Sequence, residues 1–247
     1  MKLRYLLWLL LIPVAFGQYV SAGYNKGSVG AGISVVQGCG KNTSTSTASP
    51  SWSASCSQNL ASGNTLIVVA AAGSGGTTTI SDSLGNVTAA ACTFNNGLTL
   101  NIYYCSFSIT TGGSDTITLN GSFSTFWMTF SLECHNCAGF DAAGTAVNNG
   151  ASTTWTLPGV TTTHASDLVI GFGGNGSAND TFTAGSGYTI PSGSCGANTA
   201  GACGQASGGA QCGFVEYQVV TTATTYTPAA TVSGSISGSS QTISFHP

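Results

Sequence analysis

The stretch Thr125–Cys134, which reads TFWMTFSLEC, is the densest apolar run in the chain after the amino-terminal segment. Every second residue of this stretch is large and apolar: Phe126, Met128, Phe130, Leu132 and Cys134. The other face combines small polar residues with Trp127 and Glu133. A period of two residues is the signature of a strand with one face in a core. We therefore expect this stretch to be the central strand of a β-sheet.

Runs of strand length recur along the chain, and no 3.6-residue period of useful length accompanies them. Asn64–Ala71 is nearly continuous in apolar residues, which predicts a strand that is buried on both faces. Asn120 and Gly121 predict a turn that pairs Asp115–Leu119 with Thr125–Cys134. About a dozen strands with short turns predict an all-β fold, namely a two-sheet antiparallel β-sandwich of the jelly-roll type.

Residues 1–22 have the pattern of a secretory signal peptide. Lys2 and Arg4 precede an apolar run, and small residues follow it. This pattern predicts a signal-peptide helix that is too short for a comfortable membrane span. Residues 23–32 are rich in Gly and Ser and predict a flexible leader, and residues 33–247 predict a single β-sandwich domain. We expect a secreted protein, extracellular or at the cell surface, without stable membrane insertion after signal cleavage.

Charged residues make up only 4% of the chain. Once the signal peptide is removed, the basic residues are Lys26 and Lys41 and the acidic residues number seven, which gives a net charge of −5. Nucleic-acid binding requires a basic patch that neutralises phosphates, so we expect no nucleic-acid partner. Attraction to anionic lipids through a polybasic segment is excluded for the same reason.

Nine cysteines lie after the signal peptide. In an exported chain, cysteines predict disulfides rather than metal thiolates. Short sequence separations favour the pairs Cys39–Cys56, Cys92–Cys105 and Cys134–Cys137, and one further pair among Cys195, Cys203 and Cys212. Because nine is odd, one thiol is expected to stay free or to pair with another chain. Spacing alone leaves the connectivity open.

Several motifs follow one another in a familiar order: GNTLIVVAA at 63–71, ISDSLGNV at 80–87, LECHNCAG at 132–139, DLVIGFG at 167–173 and FVEYQVV at 214–220. This order resembles a loosely defined group of secreted bacterial jelly-roll or lectin-like β-sandwich domains of exported surface proteins. The resemblance implies an exported sandwich and supplies no catalytic residues. The chain departs from the group at 134–137, where a crosslinked CHNC replaces an uncrosslinked turn.

Glu133 and Glu216 are the only glutamates, and both fall in predicted strands. Jelly-roll glycosidases use two carboxylates on one concave sheet, so this pair is the candidate for catalysis. The alternative is that each Glu caps or pins a strand end at the surface or pairs with a backbone donor. Trp127, Glu133, Trp155 and Tyr188 are the candidate ligand-binding residues, because aromatic rings beside a carboxylate suit a sugar. The alternative for the aromatic residues among them is that they fill the protein core, as aromatic residues commonly do.

Other residue clusters give weaker signals. The CHNC motif at 134–137 could be a zinc half-site or a redox motif, but a structural disulfide in a turn explains it better. His164 and Asp167 accompany abundant Ser, yet no G-x-S-x-G motif is present, and we expect His164 in a loop that enters a strand. No metal or cofactor is predicted, because four aspartates read as turn-forming residues rather than calcium ligands: Asp82, Asp115, Asp141 and Asp180.

Three functions remain open. The first is a non-enzymatic β-sandwich for surface attachment or glycan binding, with a glycan or surface partner. The second is a structural subunit of an extracellular filament or matrix, in which strand edges and the odd cysteine serve self-association. The third is a glycoside hydrolase that uses Glu133 and Glu216.

Overall fold

Short extended segments separated by turns make up the described part of the chain, as the recurring alternation of apolar residues predicts. The computed structural model describes residues 32–44, 51–56, 58–73, 75–87, 93–95, 98–123, 127–176, 180–191 and 212–247. The predicted signal peptide and all but the last residue of the predicted leader lie outside these residues. No helix, and thus no helix that could cross a membrane, occurs in the described ranges.

The described ranges contain sixteen strands, which confirms the all-β class. They are β1 (Ser34–Ser44), β2 (Ser51–Ser55), β3 (Thr65–Ala72), β4 (Gly75–Asp82), β5 (Thr93–Asn95), β6 (Asn101–Ser108), β7 (Thr116–Phe123), β8 (Trp127–His135), β9 (Gly139–Ala143), β10 (Val147–Thr156), β11 (Val160–Thr161), β12 (Asp167–Asn175), β13 (Phe182–Thr183), β14 (Cys212–Val220), β15 (Thr225–Tyr226) and β16 (Ala229–His246).

These strands pair in antiparallel fashion and form four sheets. The five-stranded sheet has the order β1-β8-β3-β6-β5. The six-stranded sheet has the order β10-β16-β12-β14, and both β9 and β13 also pair with the long strand β16. A three-stranded sheet, β2-β7-β4, and a two-stranded sheet, β11-β15, complete the set. All of these strands belong to one compact unit that begins at Gly32.

The main core lies between the five-stranded and six-stranded sheets. Phe130 and Leu132 of β8 pack there with residues of β12 and β16 such as Ile170 and Ile243. Glu133 has the opposite orientation, as the period-two pattern predicts. The predicted strand is therefore present as β8, but the centre of its sheet is the neighbouring β3.

Strand β3 is buried along its whole length, as its continuous apolar run predicts. Ile67 and Val69 face the main core, whereas Leu66 and Val68 pack against the three-stranded sheet. A strand that is apolar on both faces needs a cover on both faces, and so the described strands form more than two sheets. The two-stranded sheet covers part of the outer face of the six-stranded sheet, where Val160 packs beside other buried valines.

One predicted strand pairing is wrong. Strand β7 does not pair with β8, because Asn120 and Gly121 lie inside β7 rather than in a turn after it. Asn120 is opposite Ser51 of β2, and Gly121 is opposite Thr78 of β4. The Asn-Gly pair thus continues the strand, and β8 pairs with β1 and β3 instead.

Disulfides crosslink the fold. The pairs Cys39–Cys56 and Cys134–Cys137 are present, as predicted. Cys105 is also disulfide-bonded. Its predicted partner Cys92 lies outside the described residues, as do Cys195 and Cys203. The predicted turn at Asp82 is present too: the carboxylate accepts hydrogen bonds from the Asn86 and Val87 backbone, and Gly85 has a φ of 73°.

Candidate functional site

Glu133 is a fully buried hydrogen-bond acceptor on β8. Its Oε1 accepts hydrogen bonds from the backbone N–H of Ala61 at 2.8 Å and from Asn64 Nδ2 at 2.6 Å. Its Oε2 accepts a hydrogen bond from Gln37 Nε2 at 2.7 Å. Such charge-assisted bonds are the strong ones in a protein interior. The Glu133 carboxylate thus joins β1, β8 and the segment before β3.

The residues around Glu133 are themselves held in place. Gln37 accepts a hydrogen bond from the Gln58 backbone N–H at 3.0 Å and donates to the Gln58 carbonyl at 3.2 Å. Asn64 Oδ1 lies 2.9 Å from His135 Nδ1, on the exposed side of the network. Both oxygens of Glu133 are occupied and closed to solvent, so its carboxylate pins these segments together from the interior rather than at the surface. The backbone donor is the N–H of Ala61.

Glu216 occupies a different kind of site. It is fully buried on β14, where Oε2 accepts one hydrogen bond from the Gly185 backbone N–H at 2.8 Å. In the described residues, no hydrogen bond reaches Oε1. Gly171 lies opposite Glu216 on β12, so close that a Cβ there would stand 3.2 Å from Oε1 and 2.7 Å from Leu157 Cδ2. Glu216 is thus enclosed by tightly packed neighbours.

Burial raises the pKa of Glu216 from its usual 4.5 to about 7, although the Gly185 hydrogen bond opposes the rise. Tyr188 lies close enough to Glu216 for the two side chains to interact electrostatically. The pKa of the Tyr188 phenol is raised, first by burial and then by the charges of Glu216 and Tyr226. The Tyr188 hydroxyl is buried and makes no hydrogen bond with described residues. The structure therefore brings together two of the predicted site residues, Glu216 and Tyr188, in surroundings where burial favours the neutral form of the carboxyl group.

The two glutamates of the proposed catalytic pair are not brought together. Glu133 points away from the main core on the five-stranded sheet, towards the side covered by the three-stranded sheet. Glu216 points away from the main core on the six-stranded sheet, where its neighbour Gly171 shares a face with Val169. Packed sheets are about 10 Å apart, and side chains on their outward faces are farther apart still. A glycosidase pair needs both carboxylates on one surface.

Trp155, an aromatic candidate whose side chain the structure describes, does not belong to an open platform. Trp155 is 1% exposed and packs edge-on against Phe182 and Phe214, with ring centroids 5.6 and 6.4 Å apart. Its Nε1 donates to the Ile236 carbonyl at 3.2 Å. Trp155 is therefore a core residue. Trp127 begins β8, but its side chain lies outside the described residues.

Cys212 is buried at the start of β14. Its Sγ lies 3.1 Å from the Asp180 carbonyl oxygen, to which the thiol donates. A thiol in that position is not available to crosslink a second chain. The intermolecular role that the odd cysteine count suggested therefore does not fall on Cys212.

A third cluster of ionisable groups joins Asp141 of β9, His164 of the loop between β11 and β12, and Asp167, the first residue of β12. One side-chain ligand atom from each residue lies within 4.8 Å of the other two. His164 Nδ1 is 3.3 Å from Asp141 Oδ1 and 3.9 Å from Asp167 Oδ1. As predicted, His164 precedes a strand, but no sequence pattern indicated that Asp141 would join it from β9. The spacing His164-x-x-Asp167 was the one local signal.

Comparisons with protein families, curated proteins and solved structures find no match to this chain. The functional conclusion consequently depends on the geometry alone.

Proposed function

We propose that this chain is a secreted, non-enzymatic β-protein that serves as a structural subunit of an extracellular filament or matrix and associates through the edges of its sheets. One observation carries the proposal. The large apolar side chains that are exposed in the described residues are Val36, Phe140 and Val219. They lie on β1, β9 and β14, each of which pairs with only one other named strand. An edge with exposed apolar residues is a template for a strand of another chain.

Charge, which commonly protects sheet edges, is scarce here. Natural edge strands often carry Lys or other charged residues that prevent association. In this chain only 4% of residues are charged. Lys41 lies on β1, whereas β9 and β14 contain no Lys or Arg. Thr189 forms an isolated β-bridge with Tyr217 of β14. Val219 lies two residues beyond Tyr217 and is not covered by this bridge. Low charge and exposed apolar edges together favour self-association.

Export and the jelly-roll arrangement belong to the same proposal. Disulfides persist mainly in oxidising compartments, so the crosslinks Cys39–Cys56 and Cys134–Cys137 support a secreted or cell-surface location. The shared core of the two largest sheets supports a sandwich of the kind found in exported surface proteins.

Surface attachment or glycan binding stays a prediction. Two of its candidate ligand-binding residues, Glu133 and Trp155, are buried and therefore do not support it. The hydrolase alternative is not carried forward, since Glu133 and Glu216 lie on outward faces of different sheets.

Edge variants test the proposal. Light scattering of the purified exported chain over a concentration series is expected to show growing assemblies. Val36→Lys and Val219→Lys each place a charge on an edge, and each is expected to raise the concentration needed for assembly by about tenfold or more, which corresponds to about 1.4 kcal/mol. Ser114→Lys is the matched control, because this exposed residue lies in a loop.

The control variant should assemble like the unmodified chain. Monomers at every concentration, or equal assembly of the edge variants and the control, would contradict the proposal.

A further inference from the structure

Asp167 is the least compensated carboxylate in the described part of the chain. Its side chain has no exposed surface, and neither of its oxygens has a hydrogen-bond partner of good geometry among the described residues. The nearest group of opposite potential charge, His164 Nδ1, is 3.9 Å from Oδ1, beyond hydrogen-bond distance. A buried ionised carboxylate is stable only when it is paired or bound to a cation. Asp167 therefore requires a partner.

Asp141 makes this requirement stronger. Its side chain is only 3% exposed, and its oxygens accept hydrogen bonds from Thr163 and Ser244. An oxygen of Asp141 and an oxygen of Asp167 lie within 4.8 Å of each other and of His164 Nδ1. Two neighbouring buried carboxylates repel each other unless a cation or a shared proton lies between them.

Among the described residues, Lys41 is the single Lys or Arg, and it belongs to β1 of the five-stranded sheet. Asp141 and Asp167 lie on β9 and β12 of the six-stranded sheet. Within the cluster, His164 is the residue that can contribute a positive charge. A cation from solution would supply what the described residues around Asp167 lack.

We propose that Asp141, His164 and Asp167 bind a divalent transition-metal ion of the zinc class. Two carboxylates and one imidazole suit a borderline-soft ion, whereas Ca²⁺ and Mg²⁺ prefer ligand sets made only of oxygen. Bonds of about 2.0–2.2 Å in a tetrahedron place neighbouring ligand atoms about 3.4 Å apart. The observed separations of 3.3 and 3.9 Å, with all three atoms within 4.8 Å, need only small shifts.

The surroundings suit such a site. Asp141 and Asp167 lie on strands of one sheet, where the backbone is fixed, so the two carboxylates are held in place before an ion arrives. His164 is half-exposed, and its ring stacks on that of His246 with centroids 4.2 Å apart. The stacking orients the imidazole, and the exposed side gives the ion a path from solvent. Once bound, the ion would tie the edge strand β9 to β12.

Calorimetric titration of the exported chain with Zn²⁺, after removal of metals with a chelator, tests the proposal. We expect one Zn²⁺ per chain. Asp167→Asn and His164→Ala should each weaken binding by about tenfold or more, because the first removes the negative charge of a ligand and the second removes the imidazole ligand. His135→Ala is the matched control, since His135 is an exposed histidine outside the cluster, and its affinity should be unchanged.

Circular dichroism checks that each variant is folded, and the half-exposed His164 makes His164→Ala the variant with the smallest risk to folding. Absence of Zn²⁺ binding, which would leave a shared proton as the partner of Asp167, would overturn the proposal. Equal binding by His164→Ala and the unmodified chain, or an equal loss in His135→Ala, would overturn it as well. Binding of Ca²⁺ without Zn²⁺ would overturn the assignment of the ion class. The metal titration is independent of the assembly experiment, so either proposal can fail alone.

Discussion

Replacing Glu216 by Gln should stabilise the protein at alkaline pH. The pKa of Glu216 is raised from 4.5 to about 7 by burial, so between these values the folded state binds more protons than the unfolded state. The free energy of unfolding therefore falls as the pH rises through this window. A rise of this size corresponds to about 3 kcal/mol, as an order of magnitude. Gln has the same shape, stays neutral and keeps an acceptor for the Gly185 N–H.

Urea unfolding of both proteins across the pH range measures this effect. At about pH 4 the two free energies of unfolding should agree to within about 0.5 kcal/mol, because the glutamate is largely neutral in both states. By about pH 8 the Glu216→Gln variant should be the more stable by up to about 3 kcal/mol. Glu133→Gln is the comparison variant: it sets an amide donor among three donors, so it should be less stable than the unmodified chain at both pH values.

Parallel pH profiles for Glu216→Gln and the unmodified chain would refute the reasoning. A Glu216→Gln variant that is less stable than the unmodified chain at alkaline pH would also refute the reasoning.

Three further substitutions test the packing by urea unfolding. Glu133→Ala should cost about 3 kcal/mol or more, because buried donors lose their acceptor, and a cost below about 1 kcal/mol would contradict the pinning role. Trp155→Ala should cost about 3–5 kcal/mol through the cavity it leaves, whereas a small cost would place this ring at the surface. Gly171→Ala should cost about 1–3 kcal/mol because the new Cβ would lie 2.7 Å from a Leu157 carbon. Gly150→Ala, where a Cβ meets nothing within 4 Å, should change stability by no more than about 0.5 kcal/mol, and equal costs at both glycines would contradict the packing argument.

Local patterns in the sequence predicted local structure well. The continuous apolar run of β3 identified a strand that is buried on both faces, and the alternation in β8 identified which of its residues face the main core. The Asp82 turn was predictable from its Asp, Gly and Asn residues. The Cys39–Cys56 and Cys134–Cys137 disulfides agree with the pairs that short separations favour, although spacing alone leaves the connectivity open.

Long-range arrangement was not predictable from the same patterns. A period of two residues separates the faces of a strand, but it does not tell whether a second layer covers the outer face. The sequence pattern consequently predicts Glu133 and Trp155 as candidates for a binding surface, although both are buried. The contact of Asp141 with Asp167 depends on the pairing of β9 and β12 with the same long strand β16, which no short motif encodes.

Hydrogen exchange of the assembled and the dilute chain tests edge-mediated association most directly, because strand addition protects edge amides from exchange. We expect assembly to slow the exchange of backbone amides in β1, β9 or β14, and to leave the interior strands β3 and β12 unchanged. Assembly that protects none of these edge strands, or that protects only loops, would contradict the account.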